Sequence, residues 1–342
     1  MNKPFILAVC ILLLIAIITG MLIEPAIGQA GESASAVDLS AYPWLYLRDG
    51  QPVADAPGTV SLIAVGDVML GRGVAEVDDP LRNVSPWLKD ANLALGNLES
   101  AIAGEDIELP PMPEAGPAPY ILNAPLTAPD TLRQAGFDIL SLANNHTLDY
   151  GSAGLAETAN RLKRAGLLTV GAGESIEAAY QPLVVDVKGV QLAFVAFNLI
   201  DSYQSASPSG WANANWDEPL ATQAIAQAQE QADAVIVSIH WGDEYLIHPT
   251  VTQKRIGQSI LDAGADLVIG HHPHVVQNTE IAGNSFVAYS LGNFVFDQEL
   301  PATRHGLALR AIFDARGLRG VQALPVSSMR QPYLLPPEQI DD

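Results

Sequence analysis

Short apolar runs that end in glycine or polar residues recur along the chain. The first covers residues 60–65 and ends at Gly66 and Asp67, which is typical of a buried strand delivering a polar side chain at its carboxyl end. Runs at 93–95, 139–143, 234–239 and 267–269 end in the same way. The pattern therefore predicts buried strands, each followed by side chains able to bind a metal.

Helical stretches separate these strands, notably residues 153–165 and 219–232. Alternation of strands and helices predicts an α/β sheet, and ligands of such sheets collect beyond the carboxyl ends of the strands. We therefore expect the strand-end residues to converge. The proline-rich segment 104–119 is interpreted as an excursion loop. Later strands are predicted to pair as hairpins in a second sheet, at 183–187, 190–197, 286–291 and 307–313.

The chain begins with an apolar segment. Residues 5–23 carry no charge and lie between Lys3 and Glu24, so they are long enough to span a bilayer, and the flanking cation favours an inside N-terminus. This predicts a membrane anchor at 1–23 and a body on the extracytoplasmic side. A cleaved signal peptide, with secretion of the body, is the alternative. We interpret residues 24–57 as a tether, 58–330 as one domain and 331–342 as a tail.

Charge and cysteine content exclude several classes of site. The 342-residue chain has 38 acidic and 17 basic residues, a net charge of −21, which argues against a nucleic-acid partner because phosphate backbones require a basic surface. The single cysteine, Cys10, lies in the apolar segment, so the body has neither an internal disulfide nor a thiolate metal site. Any metal must be bound by imidazole, carboxylate and amide groups.

Histidines concentrate near two of the strand ends. The chain has seven, and four of them are His240, His271, His272 and His274. Alternate side chains of an extended backbone point the same way, so His272 and His274 can bind one metal or two neighbouring metals. Exposed loop histidines are the alternative interpretation.

Acidic and amide candidates follow the other strands. Asp67 and Glu99 are candidate metal ligands, and a carboxylate that bridges two cations suits a two-metal site. Asp67 can instead be a helix cap or a turn acid, and Glu99 can instead be a solvated or capping carboxylate. Asn145 offers a neutral amide ligand, and the adjacent His146 can act as a general acid, although an Asx turn also explains this pair.

Three further residues are candidates for contact with a substrate. Arg72 follows the turn after Asp67 and can hold an anion, whereas Trp241 and Tyr245 can line a cleft. A surface arginine and core aromatic residues are the alternatives. Asp243, Glu244, His248 and His305 receive no role.

With these residues in place, the chain resembles the bacterial capsule synthesis protein CapA family, associated with poly-γ-glutamate capsule, within the calcineurin-like metallophosphoesterase superfamily. The resemblance spans roughly residues 60–297. Its motifs are Gly66-Asp67-Val68-Met69-Leu70, Asn97-Leu98-Glu99, Leu142-Ala143-Asn144-Asn145-His146 with Asp149-Tyr150-Gly151, His240-Trp241-Gly242 with Glu244-Tyr245, Gly270-His271-His272-Pro273-His274, and Tyr289-Ser290-Leu291-Gly292-Asn293-Phe294.

The resemblance implies a four-layer α-β-β-α sandwich with two mixed sheets and a dinuclear-type metal site. The implied ligands are Asp67, Glu99, Asn145, His240, His272 and His274, with Glu99 bridging and His146 acting as the acid. Mixed nitrogen and oxygen ligands suit Mn, Fe or Zn alike.

Two departures from the superfamily pattern weaken the expectation that the chain has full phosphoesterase activity. Met69 stands where a histidine ligand is usual, and Glu99 stands where an aspartate is usual. Two functions therefore stay open. One is a metal-dependent phosphohydrolase acting in capsule or related polymer synthesis or export. The other is a non-catalytic subunit that binds polymer or partner subunits of a membrane-associated synthesis complex.

Overall fold

A computed structural model of the chain describes residues 38–50, 53, 58–112, 118–204 and 210–337. The predicted membrane segment 5–23 lies outside these residues. Within the described ranges, none of the helices combines the length and apolar character needed to cross a bilayer.

The strands in chain order are β1 (Trp44–Leu47), β2 (Val60–Val68), β3 (Leu93–Leu98), β4 (Ile139–Ser141), β5 (Leu168–Val170), β6 (Ala172–Gly173), β7 (Leu183–Val187), β8 (Val190–Asn198), β9 (Ala212–Asn213), β10 (Ala234–His240), β11 (Leu267–His271), β12 (Thr279–Ala282), β13 (Ser285–Ala288), β14 (Asn293–Val295), β15 (His305–Asp314), β16 (Gly317–Ser327) and β17 (Tyr333–Leu334). The α-helices are α1 (Ser85–Leu88), α2 (Ala128–Ala135), α3 (Gly151–Arg164), α4 (Ile176–Ala179), α5 (Glu218–Gln229) and α6 (Val251–Asp262).

Most strands belong to two mixed sheets. In the described part of the chain, the larger sheet has nine strands in the order β1-β16-β15-β2-β3-β4-β5, with β14 beside β2 and β17 beside β16. Strands β2 to β5 are parallel, whereas β15 and β16 run antiparallel. The smaller sheet has the order β12-β13-β11-β10-β8-β7, and its four inner strands are parallel. The carboxyl ends of the parallel strands carry the candidate ligands.

Alternation along the buried strands places side chains in two different cores. Leu62 and Ala64 of β2 join a core shared with the smaller sheet, whereas Ile63 and Val65 join a core beneath α2 and α3. In the smaller sheet, Ile236 faces the shared core and the residues beside it face a third core under α5 and α6. This follows from the two-residue period of a strand. The predicted mixed α/β class is confirmed.

The structure corrects three sequence-based assignments. The strand at 307–313 was predicted in the second sheet, but β15 lies in the larger sheet, where its ladders with β2 and β16 satisfy its backbone hydrogen bonds on both sides. Residues 44–47, assigned to the tether, form β1, with Tyr46 buried against β16. Residues 333–334, assigned to the tail, pair with β16 as β17. Hydrogen bonding to β16 therefore extends the folded body at both ends.

Candidate metal centre

The predicted ligands come from both sheets and meet at one place. Asp67 lies at the end of β2, Glu99 follows β3 and Asn145 follows β4. From the smaller sheet, His240 ends β10, and His272 and His274 follow β11. Contacts of 2.8–4.9 Å link them: His274 to both carboxylates, His240 to Asn145 and the His240 ring to the His272 ring.

Glu99 is the most unusual group in this cluster. It is fully buried, and neither carboxylate oxygen has a hydrogen-bond partner among the described residues. Its Oε1 lies 3.6 Å from His274 Nε2 and 4.0 Å from His146 Nε2. Because a buried carboxylate without partners is costly, this side chain is suited to binding a cation.

Asp67 anchors the turn that carries the histidines. Its Oδ1 accepts a hydrogen bond from Asn97 Nδ2 at 2.9 Å and lies 3.2 Å from His271 Nδ1. Its Oδ2 lies 3.4 Å from both the His272 backbone nitrogen and His274 Nδ1. The His271 side chain is buried beside Asp67.

Asparagines orient two of the histidines. His240 Nδ1 lies 3.3 Å from Asn97 Nδ2, and His240 Nε2 lies 2.8 Å from Asn145 Oδ1. His274 Nδ1 donates to Asn293 Oδ1 at 2.9 Å. This contact leaves His274 Nε2 facing Glu99. An acceptor such as Asn293 fixes the ring of a metal-binding histidine by taking its second N–H.

The backbone around the cluster is tightly constrained. A Cβ on Gly66 would lie 1.9 Å from the Gly292 carbonyl oxygen, and one on Gly270 would lie 2.0 Å from that of Tyr289. His272 and His274 have φ values of 94° and 58°, which are uncommon for non-glycine residues and often mark functional sites. The His-Pro-His turn therefore holds both imidazoles in place.

The histidines differ in their protonation. Burial, followed by the charge of His272, holds the pKa of His240 well below its usual range. Burial and the neighbouring His274 lower the pKa of His272 to about 3. Burial also favours neutral His274, but the charges of Glu99 and Asp67 outweigh it and raise its pKa to about 9. These shifts favour neutral His240 and His272, the form that binds a metal, whereas His274 would release a proton when a metal binds.

The two carboxylates shift in opposite directions. Burial, followed by the charge of Asp67, raises the pKa of Glu99 well above its usual range. Burial would also raise the pKa of Asp67, but hydrogen bonds and charges from His271 and His274 hold it well below its usual range. Opposite shifts in adjacent carboxyl groups are typical of functional sites.

His146 lies at the edge of the cluster beside a buried acid. Its Nδ1 donates to Asp149 Oδ2 at 2.9 Å, and the same oxygen accepts the Leu122 backbone N–H at 2.7 Å. Burial raises the pKa of Asp149, although His146 opposes this effect. Asp149 therefore holds His146 with its Nε2 toward Glu99.

The three predicted substrate contacts lie in different surroundings. Tyr245 is 41% exposed, and its ring centroid is 6.2 Å from that of His274, so it is at the rim of the site. Arg72 pairs with Asp297 and lies over the Phe296 ring, so its charge is already compensated. Trp241 is fully buried, and its indole N–H donates to the Tyr289 carbonyl at 2.8 Å, which places it in the core rather than on a cleft wall.

Sequence reasoning gave no role to several residues that organise the cluster. Asn97, Asp149 and Asn293 each hold a candidate ligand or the candidate acid through hydrogen bonds. Each of the three lies within one of the motifs named above, and this position is the sequence feature that could have identified it as part of the site. Their roles depend on partners distant in sequence, which the pattern alone does not identify.

The donor set fits divalent metal ions. Asp67, Glu99 and His274 offer ligand atoms within 4.8 Å of one another, as do Glu244, His272 and His274. Carboxylate oxygens with imidazole nitrogens suit Mn, Fe or Zn. The unpartnered oxygens of Glu99 give an independent reason to expect a cation.

Structural neighbours were found among solved proteins. A hypothetical protein from Thermus thermophilus has a TM-score of 0.47 at 17% identity and covers 81% of this chain and 100% of its own. The NAD nucleotidase of Haemophilus influenzae has a TM-score of 0.47 at 14% identity, covering 82% of this chain and 52% of its own.

Sequence relatives are closer. CapA, a capsule biosynthesis protein of Bacillus anthracis, is 32% identical over 281 residues, covering 78% of this chain and 67% of its own length. The PGA biosynthesis protein CapA of Bacillus subtilis (strain 168) is 30% identical over 278 residues, covering 77% and 70%. The model of the family described as bacterial capsule synthesis protein PGA_cap matches residues 61–298. The resemblance drawn from the motifs is confirmed, and the chain belongs to the bacterial capsule synthesis protein PGA_cap family.

Proposed function

We propose that this chain acts in the synthesis or export of capsule, poly-γ-glutamate or a related cell-surface polymer, as a metal-dependent phosphohydrolase. Family membership supports the process, since the relatives are named for capsule and PGA biosynthesis. The buried Glu99 carboxylate, unpartnered within the described residues and next to Asp67 and His274, carries the proposal of metal chemistry. Other synthesis subunits are the proposed partners.

The chemistry divides between the metal ligands and the His146 pair. Asp67, Glu99, Asn145, His240, His272 and His274 would hold the metal. A divalent cation supplies Lewis-acid polarisation and charge compensation for a phosphoryl group. Asp149 holds His146 through Nδ1, which leaves Nε2 to donate a proton to a leaving oxygen. Tyr203 braces this arrangement, because its hydroxyl donates to the Asp149 backbone carbonyl at 2.7 Å.

A non-catalytic binding subunit is the second candidate, and Met69 favours it. This residue is buried, and its Sδ accepts the Gly71 backbone N–H at 3.1 Å, so the end of β2 offers Asp67 as its hard ligand. A site with a weakened ligand set can bind metal and carboxylate groups without turnover.

Turnover by the metal-loaded full-length chain separates the two candidates. We would purify it in mild detergent, load it with Mn²⁺, and assay a phosphomonoester and a phosphodiester. His146→Ala should lower turnover by about 10²–10⁴-fold with metal content unchanged. His248→Ala is the matched control, because His248 is exposed and contacts Asn278. Metal uptake without turnover would favour the binding subunit, and absence of metal uptake would refute both.

An extracytoplasmic location for the body, anchored through residues 5–23, is also part of the proposal. Labelling of intact cells with a membrane-impermeant maleimide tests it. A Cys10→Ser chain carrying Lys89→Cys should be labelled, because Lys89 is exposed. Labelling that requires cell lysis would contradict this location.

A further inference from the structure

Glu244 lies at the mouth of the candidate metal centre. Its side chain is 49% exposed, and Oε1 lies 4.0 Å from His274 Nε2. Ligand atoms of Glu244, His272 and His274 all lie within 4.8 Å of one another. Glu244 thus approaches His274 Nε2 from the solvent side, whereas Glu99 approaches the same nitrogen from the interior.

The loop that carries Glu244 is fixed against the His-Pro-His turn. The Tyr245 backbone N–H donates to the Pro273 carbonyl at 2.8 Å, and the Leu246 carbonyl accepts Gln277 Nε2 at 2.7 Å. Tyr245 has a φ of 65°, and Gly242 has a φ of 87°. The loop therefore turns back sharply, and a residue between two such turns is held beside the histidines.

Two buried atoms point to a cation at this position. His272 Nδ1 has no hydrogen-bond partner among the residues described, and neither has Glu99 Oε1 on the inner side of His274. The Met69 thioether is engaged with the Gly71 backbone N–H. Glu244 is the nearby acid able to add an anionic oxygen from the outer side.

We infer that Glu244 is a metal ligand, binding together with His274 and His272 at the solvent side of the centre. This inference rests on the proposed metal site. Glu244 would add a ligand from the loop after β10 to the ligands at the strand ends. Because its side chain is half exposed, water or a substrate group could replace it on the metal.

Metal binding by the full-length chain tests the inference without any assay of activity. Affinity and stoichiometry for Mn²⁺ and Co²⁺ would be measured after dialysis, together with the visible absorption of the Co²⁺ form. Glu244→Gln should weaken binding of one ion by about tenfold or more and alter the Co²⁺ absorption bands, since a ligand is lost. Asp243→Asn removes the neighbouring exposed charge and should change neither quantity.

Glu244→Asp separates ligation from simple charge attraction. It keeps the charge on a shorter arm, so a ligand role predicts weakened binding and an altered Co²⁺ spectrum. Wild-type affinity and spectrum in Glu244→Asp, or in Glu244→Gln, would overturn the inference while leaving the metal site intact. Failure of the wild-type chain to bind either metal would instead overturn the proposed function.

Discussion

Replacing Glu99 with glutamine removes a buried negative charge while preserving the length and shape of the side chain. In the native chain this carboxylate is fully buried, lacks hydrogen-bond partners within the described residues and lies in the field of Asp67. Without metal, the folded protein therefore carries an uncompensated polar group. We expect Glu99→Gln to be more stable than wild type in a chelator and to lose the response to metal.

The expected change in Tm can be worked out from typical free energies of burial and binding. An unsatisfied buried polar group costs about 1–3 kcal/mol and a charged one costs more, so replacing the carboxylate with a neutral amide of the same shape should recover a free energy of this order. For a body of this size, each kcal/mol corresponds to about 2 °C in Tm, so the variant should gain about 2–6 °C in EDTA. Metal at 100 times its Kd stabilises the wild type by about 2.7 kcal/mol, or about 5 °C. When metal is added, the Tm of the wild type should therefore rise close to that of the variant or exceed it.

Differential scanning calorimetry of both chains, in EDTA and in excess Mn²⁺, measures this pattern. Glu105→Gln is the matched control, because Glu105 is exposed and its replacement should shift neither Tm. A Glu99→Gln chain that is less stable than wild type in EDTA would contradict the assigned cost of the carboxylate. An undiminished metal-induced shift in that variant would contradict its role as a ligand.

Two further predictions concern the scaffold. Gly270→Ala should destabilise the protein by about 1–3 kcal/mol or more in urea unfolding, because its Cβ would lie 2.0 Å from the Tyr289 carbonyl oxygen, whereas Gly257→Ala, with 3.5 Å to its nearest neighbour, should be tolerated or stabilising. Burial opposes ionisation of Asp314, but hydrogen bonding with Arg48 outweighs burial and holds the pKa of Asp314 below its usual range. The pair therefore stabilises the fold fully above about pH 3.9, which is the pKa of the unfolded chain. This stabilisation is lost as the pH falls through the lower pKa of the folded state. Arg48→Met should thus lower stability in urea at pH 7, with the difference shrinking toward pH 3; a difference independent of pH would contradict this reasoning.

Local sequence patterns predicted the strands because burial on both faces leaves a continuous apolar run. Residues 60–65 and 234–239 were identified in this way, and the structure extends them to β2 and β10. Pairing is a different matter. The strand at 307–313 was placed in the wrong sheet, since an apolar period of two identifies a strand and says nothing about its neighbour.

The hydrogen bonds within the site could not be predicted from the sequence for a related reason. Asn97 donates to Asp67 and lies 3.3 Å from His240, two partners that come from different sheets. An asparagine after an apolar run is equally compatible with a turn. Only the packing of one sheet on the other determines which interpretation applies.

The division of ligands between sheets has a consequence for folding. Asp67, Glu99 and Asn145 lie at or just after the ends of strands of the larger sheet, whereas His240, His272 and His274 lie at or just after the ends of strands of the smaller one. Neither sheet alone presents the full donor set, so a metal that binds this set binds the packed state. Its binding free energy therefore stabilises the contact between the sheets, in addition to any role in chemistry. The shared core contains side chains from both sheets, and a metal bound by this donor set would add a link between the sheets at the edge that carries Glu99.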